Sequence, residues 1–564
     1  MKPVLYRPLA AFTLLALAAC GNQRAPESQV AEVSGVPAEA MDRAEVMYKA
    51  EPSSASSKRS GVTLYGQIMS FAMTANQRNY IAAESRPLRT DTERYQKQPE
   101  NPVKAVAQEP VSTFSIDVDT GSYANVRRFL NNGRLPPKDA VRIEEIVNYF
   151  PYSYSLPQDG QPFAVHTQTV DSPWQSEAKL IKIGIQAQDT AKKDLPPANL
   201  VFLVDVSGSM SDPDKLPLVK KTLRILTEQL RPQDKVTIIT YASGEKLVLP
   251  PTSGKDKDTI LRAVNSLEAD GATSGERALR MAYEEAQKAF VKNGINRILL
   301  TTDGDFNVGV ADTETLKSMV AEKRKSGISL STLGFGTDNY NEEMMEQIAD
   351  AGDGNYSYID SEKEAKKVLQ HQLTSTLATV AQDVKIQVEF NPATVKEYRL
   401  VGYTNRTLRN EDFNNDKVDA GDIGSGHSVT ALYEIIPQGK TGWLADSRYQ
   451  KSPATDGSKN EYAYVKVRYK LPGQSASKLI EQPVPARSIP LAQADADTRL
   501  ALAAASYAQQ LRGGEYNGKL DWNAIEKMAA ATRARDPYGF IAEFKELIGI
   551  AKSLSSKQPE KQGE

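Results

Sequence analysis

Three short segments concentrate oxygen donors in this chain. A continuous apolar run, Leu200-Val-Phe-Leu-Val, ends on Asp205 and is followed by Val206-Ser207-Gly208-Ser209. An Asp-x-Ser-x-Ser turn at a strand end places one carboxylate and two hydroxyls on the same side. A second segment, Asp270-Gly-Ala-Thr273-Ser274-Gly275, precedes a helix and offers a third hydroxyl at Thr273, with Ser274 beside it. A third, Thr301-Thr302-Asp303-Gly304-Asp305, closes another apolar strand and offers a second carboxylate at Asp303. Such a hard, oxygen-only set suits Mg²⁺ or Mn²⁺ better than zinc. The single cysteine rules out an internal disulfide, a cysteine-based zinc site and an iron–sulfur cluster. His166, His371 and His427 are too widely spaced for a zinc hydrolase pattern.

For these loops to converge, one sheet must carry them. From Leu200 to Thr376 apolar strands alternate with amphipathic helices. Strands are expected over 200–206, 236–241, 297–302, 328–335 and 355–359. Helices are expected over 216–230, 260–267, 279–290, 316–325, 342–349 and 363–376. Continuous apolar strands between helices predict a doubly wound α/β domain over 196–376, its mainly parallel sheet covered on both faces. In an open parallel sheet ligands bind at the carboxyl ends of the strands. Asp205, Ser207, Ser209, Thr273 and Asp303 all fall at such ends or in the loops that follow.

This ordered trio resembles the metal-ion-dependent adhesion site of the von Willebrand factor A domain. The resemblance implies Mg²⁺ or Mn²⁺ held directly by Ser207, Ser209 and Thr273, with Asp205 and Asp303 acting largely through water. It also implies one coordination position left for an acidic side chain of a partner protein. The likeness extends further. Phe114-Ser-Ile-Asp-Val-Asp-Thr-Gly-Ser-Tyr123, Gly334-Phe-Gly336, Gly354-Asn-Tyr-Ser-Tyr-Ile359 and Val384-Lys-Ile-Gln-Val-Glu-Phe-Asn391 are similar to segments of bacterial A-domain lipoproteins. These carry an N-terminal flanking domain and a C-terminal domain of unknown function.

The flanks read differently from the centre. Residues 100–190 mix strand and helix patterns and predict a small α+β domain. Residues 380–552 begin with alternating, antiparallel-type strands and end in three helices, a β-rich domain with helices. Residues 20–99 are small and polar, a flexible tether that cannot bury enough apolar surface to offset chain entropy. The tail 553–564 has the same texture. Residues 1–19 form a signal peptide: Lys2 and Arg7, then an apolar stretch too short to span a bilayer, then Leu17-Ala18-Ala19. Cys20-Gly21 completes a resemblance to the bacterial lipobox, which implies lipidation at Cys20. By the same resemblance Gly21 points to the outer membrane of a Gram-negative bacterium.

Global composition narrows the function. A mean hydropathy of -0.47 excludes a polytopic membrane protein. Basic and acidic residues number 69 and 71, a net charge of -2, which gives no bias toward nucleic acid. Asp119-Thr-Gly-Ser122 looks like an aspartic protease triplet, but that chemistry needs two such carboxylates and the chain has one such triplet. Asp412-x-Asn414-x-Asp416 begins like a calcium loop. It has Lys417 where the turn needs Gly and Ile423 where the loop needs Glu. These departures argue against an EF-hand, and Asp419 and Asp422 leave open only a weak Ca²⁺ site near Asp412–Asp422. The favoured reading is a membrane-anchored, non-enzymatic envelope lipoprotein that binds a partner protein through the metal. The competing readings are an envelope scaffold that does not use the metal, and a hydrolase.

Overall fold

The computed structural model describes residues 93–557, apart from 98, 274, 305–312, 338 and 446–458. The signal peptide, Cys20, most of the tether and the tail beyond 557 lie outside the described residues, as does Ser274.

The central domain is a six-stranded sheet with helices on both faces. Across the sheet the strands run Tyr356–Tyr358, Ser329–Gly334, Ile295–Thr302, Ala198–Asp205, Lys235–Tyr241 and Glu245–Ser253. Neighbours are parallel except at the last edge, where Glu245–Ser253 pairs antiparallel. Ala198–Asp205 is buried along its whole length, because alternate residues face two cores. Leu200, Phe202 and Val204 pack against the helices Leu216–Gln229 and Lys257–Asn265. Val201 and Leu203 pack against Glu276–Lys288 and Thr313–Lys323. The edge strand is not apparent from the sequence: Lys246, Pro250 and Pro251 break its apolar pattern, and such residues are what an exposed edge tolerates. The helix expected over 363–376 is interrupted by a π-helical segment, Lys367–His371. That segment turns the buried Lys367 ammonium toward Thr120 Oγ1 and Glu364 Oε1.

The flanks depart from the expectation of two separate modules over 100–190 and 380–552. Their strands hydrogen-bond into the same two antiparallel sheets. One sheet runs Lys104–Ala105, Val395–Val401, Ser428–Pro437, Lys179–Ala187, Phe163–Asp171. The other runs Thr407–Leu408, Val111–Ser115, Thr379–Phe390, Glu461–Lys470, Ser477–Pro485. Phe114, Ile386 and Val465 from one sheet meet Ile183, Leu400 and Tyr433 from the other in a common core. The outer face of the first sheet is covered by helices from both ends of the chain. Gly121–Asn131 and Ile143–Val147 pack with Ala496–Arg512, Trp522–Ala530 and Phe540–Lys557 over Leu180, Val401 and Leu432. The α/β domain is therefore an insertion into one composite sandwich.

Ion pairs, most of them buried, join the two parts. Arg142 reaches Glu342 and Glu346 of the α/β domain. Arg406 reaches Asp350 and Glu346 on that side and Asp117 and Asp119 on its own. Arg127 grips Asp360 and Glu364. Asp119 Oδ1 accepts from the Tyr356 backbone N–H at 2.9 Å. Asp117 Oδ1 accepts from the Asp119 N–H at 3.0 Å, an Asx turn. The protease-like triplet thus serves the joint between the two parts.

Candidate metal centre

Asp205 is the last residue of the central strand, and its carboxylate folds the chain back on itself. Oδ1 accepts from the Ser207 N–H at 2.9 Å and from Ser207 Oγ at 2.7 Å. Ser207 Oγ lies 3.0 Å from Ser209 Oγ. A 3₁₀ turn over Gly208–Ser211 then leads toward the helix that starts at Leu216. One carboxylate thereby gathers both hydroxyls, as the Asp-x-Ser-x-Ser spacing requires.

The second loop is fastened to this turn by backbone. Asp270 N–H donates to Val206 O at 2.8 Å, and Gly208 N–H donates to Gly271 O at 2.9 Å. Gly271 sits at φ +86°, where a Cβ would also fall 2.5 Å from Ser243 Oγ, so glycine is needed on both counts. Thr273 follows two residues later and is half-buried. Among the described residues its hydroxyl makes no hydrogen bond to the Asp205–Ser209 turn; Thr273 is tied to the cluster only through the backbone of the loop that carries it.

The third loop contributes more than the sequence suggests. Asp303 is fully buried. Its neighbour Thr302 donates from Oγ1 to Asp205 Oδ2 at 3.0 Å, a link with no signal in the sequence. Lys215 is equally silent there. Its Nζ donates to Asp303 Oδ2 at 2.9 Å and to Asn339 Oδ1 at 3.3 Å. Burial pushes the Asp205 carboxyl up to about 6; hydrogen bonds from Ser207 and Thr302 oppose the shift and the Asp303 charge adds to it. The site therefore combines two buried carboxylates and a pair of adjoining hydroxyls, with Thr273 carried by the loop fastened to that turn. The donors are all hard oxygens, mostly neutral, and fit a divalent ion of the Mg²⁺ type.

The weak calcium expectation does not survive. Asp412 is taken by Arg409 at 2.8 Å, Asp416 by Arg468 at 3.0 Å, and Asp419 by Arg324 at 2.6 Å. Asp422 accepts from Gln382 and from the Asp383 N–H. Each carboxylate answers a separate donor, and among the described residues no group of three acidic, His or Cys side chains can hold a cation.

Comparison with known proteins agrees with this architecture. Residues 199–372 match the von Willebrand factor type A domain, 89–182 match a model described as von Willebrand factor, and 375–554 match the C-terminal domain of the uncharacterized protein YfbK. The YfbK protein of Escherichia coli (strain K12) is 48% identical over 476 residues, covering 82% of each chain. The chain belongs to the YfbK family of von Willebrand factor type A domain proteins. More distantly, inter-alpha-trypsin inhibitor heavy chain H3 of Mesocricetus auratus is 25% identical over 270 residues, 43% of this chain and 30% of that one. Among solved structures, a von Willebrand factor type A protein from Catenulispora acidiphila is 15% identical over 68% of this chain and 89% of that chain, with a TM-score of 0.37. An A domain supports a protein-interaction or scaffold role in general, and such domains commonly bind a divalent metal at this strand end.

Proposed function

We propose that this protein is a lipid-anchored envelope receptor whose A domain captures a partner protein through Mg²⁺ or Mn²⁺ and an acidic side chain of that partner. Ser207, Ser209 and Thr273 hold the ion, and Asp205 and Asp303 retain it through water. The observation that carries this reading is the pairing of hydroxyls around one buried carboxylate, Asp205 Oδ1 to Ser207 Oγ to Ser209 Oγ. Neutral hydroxyls leave the ion undercompensated, and a partner carboxylate is the hard anionic ligand that completes it. Cys20 carries the lipid in this reading, and the outer membrane is the site of action. The protein binds rather than turns over its partner.

The test is capture of envelope proteins by the full chain, with Mg²⁺ and with EDTA, for wild type and Ser207→Ala, Thr273→Ala and Asp303→Ala. Partners lost with EDTA and with each substitution are expected. A captured set unchanged by EDTA and by all three substitutions overturns the metal-dependent mechanism.

A further inference from the structure

The Lys215 side chain is 3% exposed and that of Asp303 is 0% exposed. An ammonium and a carboxylate are thus buried together at the edge of the candidate metal centre. The lysine is held in place from several sides. Its backbone N–H donates to Asp212 O, and its carbonyl accepts from the Val219 N–H in the first turn of the helix beginning at Leu216. Its aliphatic stem lies under Gly336, at φ +76°, where a Cβ would come within 2.5 Å of the Lys215 methylenes. Asn339 Oδ1 receives another ammonium proton. The lysine is therefore built into the site.

Its charge changes what the site can hold. Asp205 and Asp303 alone would make a doubly negative, buried pair, and a divalent ion would neutralise it completely. With Lys215 included, the described trio Asp205, Asp303 and Lys215 carries one net negative charge, so the same ion leaves that trio positive. Removing one partner from a buried ion pair exposes the survivor to the full penalty of desolvation. We infer that Lys215 is the resident counter-cation of the metal centre, a positioning residue that neutralises Asp303 in the metal-free protein and leaves the loaded centre one positive charge for a partner carboxylate. This rests on the metal-dependent reading above. It adds two consequences: the domain folds without metal, and the metal is held less tightly than Asp205, Asp303 and the hydroxyls alone would hold it.

The experiment uses the full chain with Mn²⁺ as probe, measuring calorimetric affinity and the metal-free melting temperature. Lys215→Met removes the charge and keeps the stem, and Lys215→Arg keeps the charge. Lys215→Met is expected to melt several degrees lower without metal and to bind Mn²⁺ about tenfold more tightly or better, since a buried like charge near the ion has been removed. Lys215→Arg is expected to bind within a few-fold of wild type. Lys215→Met combined with Asp303→Asn removes both charges and is expected to regain metal-free stability and lose the gain in affinity. That double variant also decides the matter if Lys215→Met alone does not fold: a folded double variant supports the counter-charge role, and an unfolded one overturns it. A folded Lys215→Met that binds Mn²⁺ no more tightly than wild type overturns this inference alone. Mn²⁺ binding by neither wild type nor variant overturns the metal reading together with it.

Discussion

Thr302 donates from Oγ1 to Asp205 Oδ2 at 3.0 Å, across two adjacent strands of the central sheet. The same Thr302 Oγ1 accepts from the Gly304 N–H at 3.2 Å. One hydroxyl thus sets both the orientation of the Asp205 carboxylate and the exit of the loop behind Asp303. Thr302→Val keeps the shape and removes both bonds in a fully buried place. The expected loss of stability is about 1–3 kcal/mol in urea unfolding, with weaker Mn²⁺ binding than wild type. Unchanged Mn²⁺ affinity would show that Asp205 does not need this support.

Gly121 opens the helix Gly121–Asn131 against the α/β domain, and a Cβ there would run into Cε1 of the Tyr356 ring. Tyr356 is buried and hydrogen-bonded to Tyr340, so the ring has little room to yield. Gly121→Ala is expected to cost about 1–3 kcal/mol by overpacking. Gly549, inside the helix Phe540–Lys557, is the contrast, because an added methyl there would meet nothing within 4 Å. Gly549→Ala should stabilise by about 0.5–1 kcal/mol. Denaturant midpoints moving in opposite directions for the two variants check both statements.

The joint carries a pH dependence. Burial pushes Glu346 up to about 7, and the nearby Asp350 and Asp117 charges add to this, while Arg142 and Arg406 oppose it. An unfolded Glu titrates near about 4.3. Between those two values the folded chain binds the extra proton, so this group's contribution to stability is present at low pH and is lost as pH rises through about 7. Glu346→Gln mimics the protonated side chain and removes that dependence. Urea unfolding at about pH 5 and about pH 8, on either side of that titration, should show wild type losing more stability over the interval than Glu346→Gln. Equal losses in the two proteins would place the titration elsewhere.

If Cys20 carries the lipid as proposed, membrane attachment is expected to depend on it; among the described residues no helix is long and apolar enough to cross a bilayer. Several acyl chains on one residue give stable anchoring, where a single chain gives marginal binding. Cys20→Ala should move the protein to the soluble fraction of a cell lysate. Retention in washed membranes would reveal another anchor.

The central site is readable from the sequence because its first part is local. Asp205, Ser207 and Ser209 lie within five residues, so the Asp205 Oδ1 bonds to Ser207 are local and within reach of the chain that immediately follows the strand. The alternation of apolar strands with amphipathic helices likewise determined the parallel sheet, and with it the end at which the loops of Thr273 and Asp303 gather. Thr302 and Lys215 were not legible. Their partners stand 97 and 88 residues away, and a threonine in a strand or a lysine before a helix looks the same whether buried or exposed. The flanks resist reading for the same reason. Ser115 pairs with Lys385, and Ile183 with Ala431, across the whole inserted domain. Period-two alternation tells which face of a strand is buried but not which strand lies beside it. The tertiary structure alone decided that the two flanks form one sandwich, and that a buried lysine is paired with the second carboxylate of the domain inserted into it.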